Sequence, residues 1–273
     1  MSVAVVTDST AYLPDTDGLT VVPLHVVVGD RELPEVPGLP PDELARMLRD
    51  RRVPVTTSRP APERFAEAYR RLLDGGATGV VSVHLSARLS GTVEAAQLAA
   101  APFGDAVRVI DSRSAGMATG FAALAAAGCA DLDEAAKAAQ TSVERTTSLF
   151  YVDTLDFLRR GGRIGAASAL VGTALSVKPI LRVSDGAIVV RDKVRTAGRA
   201  LARLADLTVD AAGDGDADLA VHHLAAPDRA AELLSRIAAR LGPRLRERHV
   251  TEIGAVVGAH LGPGAICTVM HRR

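Results

Sequence analysis

The chain has no tryptophan, and aromatic residues make up only 3% of its 273 positions. Ala, Val and Leu must therefore fill the interior. Cysteine occurs twice, at Cys129 and Cys267, far apart and without a Cys-x-x-Cys pair or a His at zinc-finger spacing. That leaves two buried structural thiols as the expectation. An excess of either charge is missing too. Lys+Arg and Asp+Glu both number 32, so there is neither the basic surplus that a nucleic-acid binder needs nor the block charge of a disordered tail. The first residues lack a basic n-region and reach Asp8 too soon for a signal peptide. From Ser114 to Ala130 no charge occurs, but the stretch is Ala- and Gly-rich and shorter than a bilayer span. It reads as a buried helix of a soluble, cytoplasmic protein.

Several enzyme signatures are absent. There is no P-loop, no Gly-x-Gly-x-x-Gly after a strand, no His-Glu-x-x-His and no Gly-x-Ser-x-Gly elbow. Asp214, Asp216 and Asp218 alternate like calcium ligands, but Leu219 and Ala225 stand where an EF-hand loop needs Gly and Glu. His222 and His223 are strand neighbours pointing to opposite faces, which argues against a shared metal ion. No metal or cofactor is expected.

What is present is an ordinary globular composition, 48% hydrophobic and 23% charged, in a chain long enough for two domains. Val3 to Val6, Val80 to Val83 and Val107 to Ile110 are apolar runs without polar alternation, as in parallel strands covered on both faces. Phe65, Ala68, Tyr69, Leu72 and Leu73 form one face of a helix between them. Further helices are expected at Asp42 to Arg51, Thr92 to Ala101, Ala115 to Ala127 and Leu132 to Arg145. Past residue 148 the pattern changes. A strand at Ser148 to Val152, a short helix from Leu155 and a helical stretch from Ala166 to Val177 precede a hairpin, Ile180 to Val190, turning at Asp185-Gly186. Helices at Thr196 to Leu207 and Pro227 to Leu241, with strands at Leu219 to His222 and Ile266 to Met270, complete the second half. The expectation is an α/β protein of two domains. Residues 1–148 form a parallel-sheet domain and 149–273 an α/β domain with a mixed sheet, with a ligand at the junction.

Each early strand ends in a polar cluster: Thr7 to Thr10, His84 to Ser86, and Asp111 to Ser114. Ligands of open parallel sheets bind beyond the carboxyl ends of the strands, so these clusters should converge on a site, although Ser, Thr and Asp there also serve as helix caps. Ser86 to Thr92 leads from strand to helix with hydroxyls and free N–H groups. Thr57-Ser58-Arg59-Pro60 reads as a hydroxyl pair at a helix start. Arg159, Arg160 and Arg163 surround the Gly161-Gly162 pair and suit either an anion clamp or a partner-docking patch, or simply a solvated helix end. His260 lies in a Gly-rich turn where the backbone can approach a ligand.

Thr-Asp-Ser-Thr at 7 to 10, Thr-Ser-x-Pro at 57 to 60 and Leu-Ser-Ala-Arg-Leu-Ser-Gly-Thr at 85 to 92 together resemble the DegV family. Ile110-Asp111-Ser112, the 158–164 segment, Lys178-Pro179-Ile180-Leu181, Asp185-Gly186 and His260-Leu261-Gly262-Pro263-Gly264 follow in that family's order. The resemblance implies a non-catalytic bacterial carrier that holds one long-chain fatty acid, such as palmitate, in an apolar tunnel. The carboxylate would sit at the domain junction and be presented to a separate fatty acid kinase, which makes the acyl phosphate used in phospholipid synthesis. A transient contact with a membrane surface is compatible with that role. Thr57 and Ser90 would be the principal donors to the carboxylate, with Thr92, His260 and Arg163 near it, and Arg159, Arg160 and Arg163 at the kinase-docking rim. Arg59 and Ala61 stand where the family usually has Gln and Ser. Two other readings compete: an acyl-ester hydrolase using Ser90 or Ser112 with His260, and a sugar- or dihydroxyacetone-type binding protein with a polar pocket.

Overall fold

The structure is a computed structural model that describes residues 3–13, 15–16, 18–35, 38–50, 52–170 and 177–273. The first half begins with β1 (Val3–Asp8), a 3-10 turn at Ser9–Ala11, and β2 (Leu19–Val22). Next come β3 (His25–Val28), β4 (Arg31–Pro34), α1 (Pro41–Asp50) and β5 (Val55–Ser58). The βα rhythm resumes with α2 (Pro62–Asp74), β6 (Gly79–His84), α3 (Thr92–Ala100), β7 (Val107–Asp111), α4 (Met117–Ala127) and α5 (Leu132–Glu144).

Four of these strands pair in parallel in the order β2-β1-β6-β7. Central β6 is buried at every residue, which accounts for its unbroken apolar run. Alternate residues face opposite layers. Val6 and Val80 pack with Phe65, Tyr69 and the alanines of α3, whereas Val5 and Val81 pack with the alanines of α4 and α5.

The second half contains β8 (Thr146–Tyr151), α6 (Asp156–Arg160), β9 (Lys178–Ser184), β10 (Ala187–Val194) and α7 (Ala197–Ala212). It continues with β11 (Ala217–His223), α8 (Pro227–Leu241), β12 (Leu245–Glu252), α9 (Ala255–Leu261) and β13 (Ile266–Arg272). The mixed sheet runs β10-β9-β8-β13-β11-β12, antiparallel throughout except for the β11–β12 pair. Leu204, Leu207, Leu233 and Ile237 of α7 and α8 cover one face. On the other, Phe150, Leu181 and Ile188 share a core with Val26, Leu44 and Leu48. The antiparallel sheet β4-β3-β5 and α1 are therefore packed against elements of the second half, although they come early in the chain.

Several expectations change. Strands β2 to β5 and β12 and helix α9 were not anticipated. Thr57 and Ser58 do not start a helix but end β5, and α2 begins only at Pro62. Arg59 and Ala61 each precede a proline, which disfavours helical backbone, and Ala61 is extended at φ −68°, ψ 145°. His260 lies on the last turn of α9, ahead of the turn made by Gly262 and Gly264 at positive φ. The helical stretch from Ala166 is a 3-10 helix over Gly165–Leu170, and its continuation through 171–176 lies outside the described residues, as does Arg51 at the end of the first expected helix. Both cysteines are free and neither is fully buried.

Candidate functional site

The three polar clusters converge, but on one another. Asp8 accepts from Thr10 N–H at 3.0 Å and Leu85 N–H at 2.9 Å, and its Oδ2 lies 3.1 Å from His84 Nδ1. His84 Nε2 is 2.7 Å from Ser82 Oγ, which completes a Ser–His–Asp chain. Tyr69 occupies the far side of that hydroxyl at 2.8 Å, and Asp8, Ser82 and His84 are all 0% exposed. No substrate reaches it. Ser112 is likewise engaged, 2.9 Å from Thr119 Oγ1. These groups satisfy buried polar atoms where strands end rather than facing a ligand.

The cavity forms one step further along each connection. About 310 Å³ of space lies between the halves, with a mouth lined by Thr57, Arg59, Ser90, Arg163 and His260 and walls of Leu24, Leu85, Leu89, Ile188 and Val256. Residues Leu89, Ala115, Ile188, Val257 and Leu261 also line a smaller chamber of about 80 Å³, bounded by Tyr12, Phe150, Val183, Cys267 and Val269. A polar mouth thus leads into apolar space. Burial in that chamber pushes the Cys267 thiol up to about 12, so it stays protonated and behaves as a small apolar side chain.

Four of the five expected ligand residues share the mouth. Thr57 Oγ1, from β5, lies 2.9 Å from His260 Nε2, from α9. Burial first and the nearby Arg163 cation second lower His260 to about 4, so it is neutral at neutral pH. Ser90 Oγ lies 2.9 Å from Thr92 Oγ1; Thr92 itself is fully buried and supports Ser90 from behind. Arg163 ties the halves together by donating from Nε to Leu89 O at 3.0 Å, and is held within its own segment by donating from Nη1 to Gly161 O at 2.6 Å. Arg159 and Arg160 are exposed.

Two further contacts set the mouth. Arg59 donates to Glu94 Oε2 at 2.7 Å and to Gly91 O at 3.3 Å, so its charge is paired and it braces the Ser90 turn. At the tip of the β9–β10 hairpin, Gly186 O accepts from Ser86 Oγ–H at 2.8 Å. A Cβ on Gly186, whose φ is +79°, would lie 2.5 Å from that hydroxyl, so the hairpin glycine allows the close approach as well as the turn.

Sequence reasoning missed Glu35, which accepts from Val256 N–H at 2.9 Å and Ser9 Oγ–H at 2.5 Å at the start of α9. Nothing local marks it. The wall made by Val256, Val257, His260 and Leu261 did carry a signal, the i, i+1, i+4, i+5 spacing of one helix face.

The hydrolase reading fails on this geometry. His260 is bonded to Thr57 rather than Ser90, and its charged neighbour is Arg163, where a general base needs an orienting carboxylate. The apolar chamber also disfavours a sugar site. Among the described residues there is no cluster that could hold a metal ion, and no helix is long and apolar enough to cross a membrane. His222 accepts from Met117 N–H at 3.1 Å and lies 2.5 Å from Thr251 Oγ1, so both its nitrogens are engaged.

Fold and site define a two-domain α/β protein enclosing a cavity that is polar at one end and apolar at the other. The family model described as "Uncharacterised protein, DegV family" matches residues 2–272, and the chain belongs to that family. A DegV domain-containing protein of Streptomyces coelicolor is 54% identical over 99% of both chains. One from Mycobacterium tuberculosis is 42% identical over 97% of this chain and 96% of its own. Among solved structures, a fatty-acid-binding DegV family protein of Thermus thermophilus superposes with a TM-score of 0.93 at 32% identity, with all of both chains covered. DegV of Bacillus subtilis, described as a fatty acid binding protein, gives 0.89 at 32% identity, also over all of both chains.

Proposed function

We propose that this protein binds one long-chain fatty acid, its carboxylate at the mouth between Thr57 and Ser90 and its tail in the apolar chamber. The observation that carries this reading is the wall that the two spaces share. Five apolar residues line both, so a single amphiphile would satisfy each end. The fatty-acid-binding relatives of the same fold support it.

A carboxylate accepts about four hydrogen bonds, and hydroxyls supply them without a metal. With Nε2–H of neutral His260 donating to Thr57 Oγ1, the Thr57 hydroxyl proton is left for the ligand. His260 then positions the donor and needs no charge. The tail supplies most of the affinity, about 0.8 kcal/mol for each methylene removed from water.

The protein itself performs no chemistry in this reading. It presents the carboxylate to a fatty acid kinase, where a carboxylate oxygen bonds to the terminal phosphorus of ATP as ADP leaves, giving an acyl phosphate. The exposed Arg159 and Arg160, on the segment that leads to Arg163 at the mouth, are the proposed docking rim. Lipid extraction and mass spectrometry of purified protein should find about one acyl chain per polypeptide. Absence of any acyl chain, with no thermal stabilisation by added palmitate or oleate, would overturn the assignment.

A further inference from the structure

A buried carboxyl stands behind the wall of the mouth cavity. Glu35 directly follows β4 and is buried. Its Oε2 accepts from Ser9 Oγ–H, and that hydroxyl accepts in turn from Leu24 N–H at 3.0 Å. Its Oε1 accepts from Val256 N–H at 2.9 Å. Leu24 and Val256 pack with Leu85 in one apolar cluster, and all three line the cavity. One side chain thus fixes the backbone behind two of the three. Helix α9 relies on this contact. Its N-cap is Gly254, which brings no capping side chain, so Val256 N–H, one of the first-turn donors that a helix leaves without a partner, is satisfied by Glu35 instead. A Cβ on Gly254 would overlap Glu35 Oε1 and press on the Tyr12 ring, which bounds the apolar chamber, so the close approach of the carboxyl to α9 requires that glycine.

We propose that Glu35 is a positioning residue for the fatty-acid site, and that Glu35 takes up a proton when the acid binds. The inference rests on the fatty-acid reading and deepens it. Helix α9 spans only seven residues and carries Val256, Val257, Leu261 and His260, the residue that orients Thr57. A shift of its first turn therefore reaches both the apolar wall and the head-group donor. The proton follows from electrostatics. An acyl chain in the cavity excludes water from the space in front of Leu24 and Val256, and its carboxylate adds a negative charge at the mouth; both disfavour an ionised Glu35. By linkage the preference is mutual, so the acid is held less tightly once Glu35 ionises. Burial, opposed by the bonds from Ser9 and Val256 and aided by Asp8 of β1, raises Glu35 to about 7, which puts the change near neutral pH. Of the other groups around it, Tyr12 and Cys267 are kept protonated by burial, and His260, at the far end of α9, is kept neutral. Asp8 is bonded to His84, and His25 of β3 lies 3.8 Å from Glu32; both pairs are unchanged by a substitution at Glu35 and cancel in a comparison with the variant.

Calorimetric titration with palmitate at pH 6 and pH 8, on wild type, Glu35→Gln and Glu35→Ala, tests both parts of the proposal. At pH 6 Glu35→Ala should bind palmitate about tenfold more weakly, the loss of one buried hydrogen bond, whereas Glu35→Gln, which keeps an acceptor for Val256 N–H, should stay within about twofold of wild type. From pH 6 to pH 8 wild type should lose about fivefold or more in affinity relative to Glu35→Gln. Titrations at pH 7 in buffers of different ionisation enthalpy should show more proton uptake in wild type than in that variant. Wild-type affinity in Glu35→Ala overturns the positioning role, and a constant ratio with equal proton uptake overturns the linkage. If Glu35→Ala does not fold, the pH comparison with Glu35→Gln decides alone. If wild type binds no palmitate at either pH, the fatty-acid reading fails, and the imidazole NMR signals of His260 in ligand-free protein still test the contact. They should move in Glu35→Ala and hold in Glu35→Gln; unmoved signals in both overturn it.

Discussion

Glu35 is the buried acid whose ionisation should be visible in the stability of the whole fold. It is only 7% exposed, and burial, with a smaller contribution from Asp8, raises its carboxyl from 4.5 to about 7 despite the bonds from Ser9 and Val256. The folded chain therefore holds this proton more tightly than the unfolded chain. The stability it contributes is complete below about pH 4.5 and is lost as pH rises through about 7. At 1.36 kcal/mol per unit, the shift is worth about 3 kcal/mol. Buried histidines act in the opposite sense. His260 and His222 are lowered to about 4 and about 3, so they weaken the fold as pH falls below about 6.5. The wild-type curve alone is thus a composite, and the informative quantity is the difference from Glu35→Gln, which keeps an acceptor for Val256 N–H. That difference should be near zero at pH 4.5 and should reach about 3 kcal/mol in favour of the variant by pH 8. In thermal melts at matched pH it appears as a relative shift of roughly 6 °C or more. Melting curves that stay a constant distance apart from pH 4.5 to 8 would refute the reasoning, because the carboxyl would then not titrate within that window.

Other perturbations test the mouth directly. Thr57→Ala and Ser90→Ala should each weaken palmitate binding by about 1.5 to 3 kcal/mol, and the double variant by less than the sum, in calorimetric titration; unchanged affinity in the double variant would remove both from the ligand. Gly161→Ala puts a Cβ 2.1 Å from His260 Nδ1, so it should displace that ring and lower palmitate affinity about tenfold while circular dichroism shows the fold retained. Wild-type affinity would mean that His260 does not position Thr57. Arg59→Gln, which restores the residue usual in the family, should leave palmitate affinity within about twofold, because Arg59 is already paired with Glu94 and 46% exposed. A larger loss would place the Arg59 cation on the ligand.

Residue pattern alone determined the frame. Uninterrupted β-branched runs favour strands covered on both faces, and β1, β6 and β7 fall on those runs. The Asp185-Gly186 hairpin and the helices rich in alanine were legible for the same local reason: backbone preference and periodicity are encoded within a few residues. The ordered motifs identified the family and pointed to Thr57, Ser90, Arg163 and His260, but not to how they meet. Thr57 and His260 are 203 residues apart in sequence and come within 2.9 Å only because β5 and α9 pack at the junction. Short weakly patterned strands such as β3 to β5 owe their existence to pairing and to the core they share with the second half, information that no local window contains. The polar clusters show the converse. Their residues looked like ligand groups, yet tertiary packing turned Asp8, His84 and Ser82 on one another and left the cavity to neighbours further along. Which hydroxyl faces a ligand and which satisfies a buried backbone group is settled by what else reaches it, and that depends on contacts between distant segments.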